Sequence, residues 1–295
     1  MVAKLFIDGI TPSDNYYSVI RDKPHCAHYK SCMEKMWTVY YPYADKDYQK
    51  QLTQDFHARF WEMYLTCTLI EKSFNVYPKF TKSEGPDILI QDSQRSIYLE
   101  AVTPSEGNES NKDRVPKMPL MKVTRVPDEQ ITLRYCSVIA DKYKKYNTYL
   151  NRGIILSSDA YVIALNSCKI DQAIMETDLP RIVKSVLPIG YQQVNISKIP
   201  GVEPSWHYQY RDKICRSSSS LVNTDLFLDR DYEGLSGILY SRTDLFNKPP
   251  VMGDNFIFIH NPLAKNQIPH GYFKFGTEYS IKVKPKSFSF ERKNW

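Results

Sequence analysis

Residues 85–104 read GPDILIQDSQRSIYLEAVTP, two short apolar runs joined by the polar tetrapeptide DSQR. Runs of this length, rich in Ile, Leu, Val and Tyr and broken by turn-forming residues, read as a β-hairpin. Asp87 heads the first run and Glu100 lies near the end of the second. Side chains alternate along a strand, so Glu100 shares a face with Tyr98 and Val102, while Leu99, Ala101 and Thr103 point the other way. Two acids at neighbouring strand ends repel unless something positive lies between them. A divalent cation with oxygen ligands meets that demand. Solvated strand ends paired with nearby Arg or Lys meet it equally well.

On the N-terminal side, Phe56, Phe60, Met63, Cys67 and Ile70 recur at intervals of three and four, which predicts a helix from Lys50 to Phe74 with one apolar stripe. NVYPKF follows as a short strand, placed at an edge by Pro78. On the C-terminal side, residues 104–126 read as a long loop rich in Pro, Ser, Asn and Lys, of the kind that carries function or stays disordered. A second helix begins after Pro127, with Asp128 and Glu129 in its first turn, and ends at Gly153. YVIALN then reads as a buried strand, free of charge and rich in strand-formers. Beyond Ser167 the pattern is weaker. DLPRIVKSVLPIG suggests a short helix, and GLSGILYS and NFIFIHNP suggest strands. The predicted class is α/β, a mixed central β-sheet flanked by helices. Three regions follow: an N-terminal extension at 1–50, a core at 51–170, and a C-terminal region at 171–295 that extends the sheet or forms a recognition region.

The order GPDILI … YLEAV resembles the PD-(D/E)xK, or restriction-endonuclease-like, nuclease superfamily. There a Pro-Asp opens one strand and a second acid on the next is followed two residues later by lysine. The family core has the helix–strand–strand–strand–helix–strand order read above, and the resemblance covers roughly residues 52–166. It implies a restriction-endonuclease-like core and metal-dependent hydrolysis of nucleic-acid phosphodiester bonds, DNA ahead of RNA. It also implies Mg²⁺ (or Mn²⁺) held by Asp87 and Glu100. A glutamate on the first helix often completes the acidic cluster, and FHARFWEMYL offers Glu62. A surface Arg59–Glu62 pair is the plainer reading of that residue.

The chain departs from the family at Val102, where the motif lysine is expected. The cation has moved to another element, or catalysis has been lost. The second helix supplies a candidate, because Ile131, Tyr135, Val138, Lys142, Lys145 and Tyr149 form one stripe at spacings of 4, 3, 4, 3 and 4. A lysine continuing that stripe points along the sheet toward the acids, where it needs a carboxylate partner. Lys142 is the catalytic candidate, with Lys145 behind it. The competing arrangement turns Tyr143 and Tyr146 inward and leaves the lysines in solvent. The alternative function is a catalytically degenerate nuclease fold acting as a nucleic-acid-binding or protein-interaction module.

The remaining signals bound this reading. Lys112, Arg114, Lys117, Lys122 and Arg125 in the loop after Glu100 could clamp a phosphate backbone. The net charge of +6 over 295 residues suits a polyanionic partner without the density of a nucleic-acid-coating protein. The first residues lack a secretory pattern, and no run approaches the roughly 20 apolar residues of a membrane span. A cytoplasmic chain with six free cysteines is therefore expected. His25, Cys26, His28 and Cys32 cluster, but their spacing fits no common zinc template. No nucleophile elbow, P-loop or dinucleotide fingerprint occurs.

Overall fold

A computed structural model of the chain describes residues 3–78, 84–92, 95–119, 121–176, 179–284 and 287–295. The helices α1 (Asn15–Asp22), α2 (Ala27–Tyr40), α3 (Tyr48–Leu52) and α4 (Phe56–Glu71) come first. They are followed by β1 (Val76–Tyr77), β2 (Ile88–Gln91), β3 (Ser96–Val102), α5 (Asp128–Asn151) and β4 (Ala160–Asn166). After α6 (Arg181–Lys184) come two small ribbons, β5 (Ile189–Asn195) with β6 (Ser205–Tyr210), and β7 (Lys213–Cys215) with β8 (Leu221–Asn223). The chain then adds β9 (Gly237–Ser241), β10 (Ile257–His260), β11 (Thr277–Lys284) and β12 (Ser287–Asn294).

The fold is mixed α/β, built on one eight-stranded sheet ordered β1-β2-β3-β4-β9-β10-β11-β12. The β1–β2–β3 segment is antiparallel, β3, β4 and β9 run parallel, and β10 is antiparallel to β9 and parallel to β11. Helices cover both faces. Along β4 every residue is buried. Ala160, Val162 and Ala164 pack into the core with α1–α4, and Tyr161, Ile163 and Leu165 into the core with α5 and α6. A strand covered on both sides has no need of a polar face, hence its unbroken apolar sequence.

The predicted first helix is corrected in two respects. It begins at Phe56 rather than Lys50, because Asp55 caps it by accepting from Ala58 N at 3.1 Å, while Asp14 Oδ2 accepts from Phe56 N at 2.9 Å. Residues 48–52 form the separate α3. Nor does α4 bury a single stripe, since Phe60 to Leu69 form a continuous buried run. The second side of α4 is covered by the N-terminal helices, with Tyr17, Ile20, Met33, Trp37, Tyr40, Tyr48 and Leu52 entering the same core. Trp61 fixes the helix to the sheet, its Nε1 donating to the Ala164 carbonyl at 2.9 Å.

The hairpin joins β2 and β3 with the register Ile88↔Leu99 and Leu89↔Tyr98. Ser93 and Gln94 of its turn, and Lys79 to Lys82 with Ser83 of the segment before it, lie outside the described residues. The short strand of NVYPKF is β1, at the edge of the sheet. α5 ends as expected, with Gly153 in the left-handed region at φ +66° and Ile154 N donating back to Tyr149 O at 2.9 Å, a glycine stop.

Trp61 is fully buried, so Trp61→Ala is expected to cost about 3–5 kcal/mol of unfolding free energy. Urea denaturation followed by circular dichroism checks this. A loss under about 1 kcal/mol would contradict the packing described.

Candidate active site

The site forms where the end of β3 meets the last three turns of α5. Glu100 lies between Tyr98 and Val102 on the α5 face of the sheet and has no exposure to water. A buried carboxylate is costly without counter-charge and hydrogen bonds. Two lysines supply both. Lys142 Nζ donates to Glu100 Oε1 at 2.6 Å, and Lys145 Nζ donates to the same oxygen at 2.8 Å. One turn further on, Tyr149 donates to the Gly85 carbonyl at 3.1 Å and makes a longer contact of 3.5 Å to Glu100 Oε2. These three residues recur at helical spacing, so they share a face of α5 and reach one point.

The rival face of α5 is used as well. Tyr146 is buried, stacks with Tyr143 and packs against Tyr161, while Tyr143 stacks on Tyr232. The tyrosines turn inward as the competing arrangement has it, but Lys142 and Lys145 are not left to solvent. Lys142 side-chain exposure is 21% and that of Lys145 is 50%, so Lys145 also faces solvent. Burial works against the Lys145 charge, but the Glu100 hydrogen bond and charge outweigh it and its pKa is raised. A lysine raised in this way stabilises the fold fully below its ordinary value of 10.5 and loses that contribution only as pH climbs through the raised value.

Asp87 precedes β2. The β2–β3 register, continued one pair beyond Ile88↔Leu99, sets it across from Glu100. Its Oδ2 accepts from Ala101 N at 2.8 Å, which ties the strand end to the neighbouring strand. Gly85, two residues earlier, has φ +148°, a conformation open to glycine and little else. Arg152 pairs with Glu84 beside it, so the start of the Asp87 segment is pinned to the end of α5.

Glu62 sits elsewhere. It is buried on α4, the helix on the opposite face of the sheet from Glu100. Arg59 Nη1 holds its Oε2 at 2.5 Å, and Tyr40 donates to its Oε1 at 2.8 Å. The pair with Arg59 is thus internal rather than a surface pair. Burial opposes the Arg59 charge, yet Glu62 first and Asp87 second raise its pKa, so Arg59 links the two acids electrostatically. Among the described residues, Glu62, Asp87 and Glu100 do not converge into a three-ligand group. The only such group among the described residues is His260, His270 and Glu278. No such group forms at His25, Cys26, His28 and Cys32 either, and all six cysteines are unpaired.

Val102, at the expected lysine position, is half-buried against the α5 core. The loop after β3 is tied down in its first part. Val115 is buried, Arg134 Nε donates to Ser105 O at 2.9 Å, and Ser217 N donates to Asp113 Oδ1 at 2.8 Å. Arg114 pairs with Glu106 at 3.1 Å and Glu109 at 3.5 Å, so its charge is spent within the loop. Lys112, Lys117, Lys122 and Arg125 are exposed.

Sequence spacing brought out Lys142 and Lys145 but not Tyr149 or Arg59 as site residues. Tyr149 lay on the same stripe as the lysines, and Arg59 was visible only as a helix-surface partner. No described helix is long and apolar enough to cross a membrane. Compared with family models, curated proteins and solved structures, the chain gives no match in any of the three.

Removing both lysines strands a buried charge. Lys142→Met or Lys145→Met alone leaves Glu100 one partner and is expected to cost at most about 1.5 kcal/mol. The double variant is expected to cost about 3–5 kcal/mol, more than the sum of the two. Chemical denaturation of the four proteins measures this coupling, and strict additivity would contradict a shared carboxylate.

Proposed function

We propose that the chain is a metal-dependent phosphodiesterase acting on nucleic acid, DNA ahead of RNA, built on a restriction-endonuclease-like core. The observation that carries the reading is the convergence of Lys142 and Lys145 on Glu100, in a chain whose motif position for lysine holds Val102. The element order α4, β1, β2, β3, α5, β4, with β3 and β4 parallel, agrees with that core.

Charge supports a phosphate ligand. Glu100 and Asp87 across from it are met by two ammonium groups, Lys142 and Lys145, the second half in solvent. The solvent-facing ammonium of Lys145 suits a phosphodiester oxygen. Asp87 and Glu100 form a donor set of oxygens only, which suits Mg²⁺ or Mn²⁺. Among the described residues, Glu100 Oε2 has only the long Tyr149 contact and is the oxygen better placed to serve. Such an ion supplies an activated water and charge neutralisation at the leaving oxygen. Lys142 is assigned the duty of the displaced motif lysine, orienting the water and stabilising developing charge. Lys145 and the exposed Lys112, Lys117, Lys122 and Arg125 hold the backbone. Glu62 is read as a positioning group that acts through Arg59.

A second reading has its own observation. Glu100 is already neutralised by its two lysines, as in a nuclease fold that retains binding and has given up cutting. Cleavage assays separate the two. Plasmid DNA, single-stranded DNA and RNA are expected to show cleavage with Mg²⁺ or Mn²⁺ and none with chelator. Asp87→Asn and Glu100→Gln should each lower the rate at least about a hundredfold, and Lys142→Ala at least about tenfold. Binding without cleavage in the wild-type chain would favour the second reading, and neither would overturn both. In either case, replacing Lys112, Lys117, Lys122 and Arg125 together by Ala is expected to flatten the slope of log K against log salt by about 3–4.

A further inference from the structure

A second cluster of ligating side chains lies across the sheet from Glu100, between β10 and β11. We propose that His260, His270 and Glu278 form a binding site for a divalent transition metal of the zinc class, with one coordination position left open. The ligand atoms of the three residues all lie within 4.8 Å of one another. Phe258 pairs with Glu278 across the parallel strands, so His260 follows on the same face at the end of β10. The connection between the strands then returns His270 over this position, with the two imidazole centroids 4.5 Å apart.

The hydrogen bonds around the cluster are those of a prepared ligand set. His260 Nε2 contacts Glu278 Oε1, so one ring nitrogen and one carboxylate oxygen already face each other, with a proton in the place a cation would take. Glu278 is oriented in turn by Gly271 N, which donates to both of its oxygens at 2.9 and 3.0 Å, and by Trp295 Nε1, which donates to Oε2 at 2.9 Å. Donors of this kind behind a carboxylate fix ligand direction at metal sites.

Gly271 secures the arrangement. Its φ is +72°, and a Cβ there would lie 2.6 Å from the Trp295 ring, so the residue beside His270 must be glycine for the indole to reach Glu278. Two imidazoles and one carboxylate match zinc better than Mg²⁺ or Ca²⁺, which prefer oxygen throughout. Tetrahedral zinc ligands about 2.0–2.1 Å from the ion stand roughly 3.4 Å from one another. The His260–Glu278 contact must therefore open as the ion replaces the proton, and the exposed His270 must close by an ångström or so. His270 and Glu278 also line a groove of about 620 Å³, together with Ser280, Arg292 and Lys293, where water or an anionic group completes the shell. The site shares no residue with the Asp87–Glu100 rim and stands or falls apart from the function proposed for it.

The test uses the full chain, stripped with chelator and dialysed against Zn²⁺ alone, without nucleic acid. Bound metal is read by mass spectrometry, and thermal unfolding is followed with and without the ion. One zinc per chain and a higher melting temperature with zinc are expected. His270→Ala, an exposed position that should fold normally, is expected to bind at least a hundredfold more weakly and to lose the thermal shift. Trp295→Phe, which removes only the indole donor, is expected to weaken binding about tenfold. A wild-type chain that retains no zinc at micromolar concentration overturns the proposal. So does a His270→Ala chain that binds as tightly as wild type, which would assign the metal to other side chains.

Discussion

A carboxylate with no access to water, held by two ammonium groups on one of its oxygens, is the constraint around which the candidate site is arranged. Glu100 cannot be buried alone. Lys142 and Lys145 can reach it only if α5 lies across the β3–β4 face in one rotation, and that rotation also sends Tyr149 to Gly85 and stacks Tyr143 and Tyr146 against Tyr232 and Tyr161. Asp87 in turn closes the end of β3 through Ala101 N. The acids, the lysines and the glycine bend are thus parts of one mechanical unit.

The sheet separates two chemistries. On the α4 face, Glu62 is consumed by Arg59 and Tyr40 inside an aromatic core. On the α5 face, Glu100 and Asp87 meet Lys142 and Lys145, and Lys145 keeps half of its side chain in solvent. An anionic ligand would find that ammonium beside two carboxylates already held in place.

Much of this was legible in the residues. The DILIQ–SIYLEAV hairpin, the helix after Pro127 and the strand YVIALN follow from clear periodicities and end signals, and they form as read. The stripe that carried Lys142 and Lys145 gave their direction, though spacing could not show that both meet one oxygen. The surroundings of Glu62 were not legible, because spacing along α4 says nothing about which face of the sheet the helix covers. The N-terminal helices had a signal in Met33, Met36, Trp37 and Tyr40 at helical spacing, masked by the surrounding tyrosines. β11 and β12 escaped notice because their alternation is interrupted by charges such as Lys282, Glu291 and Arg292, and the ribbons β5–β8 because they are short and largely exposed.

The most direct measurement of the central claim is a crystal of the chain soaked in Mn²⁺ and examined by anomalous scattering. The account predicts an anomalous peak between the carboxylates of Asp87 and Glu100, with at least one of Lys142 and Lys145 still beside Glu100. A map with no peak there, and with both lysines unmoved on Glu100 Oε1, would contradict it.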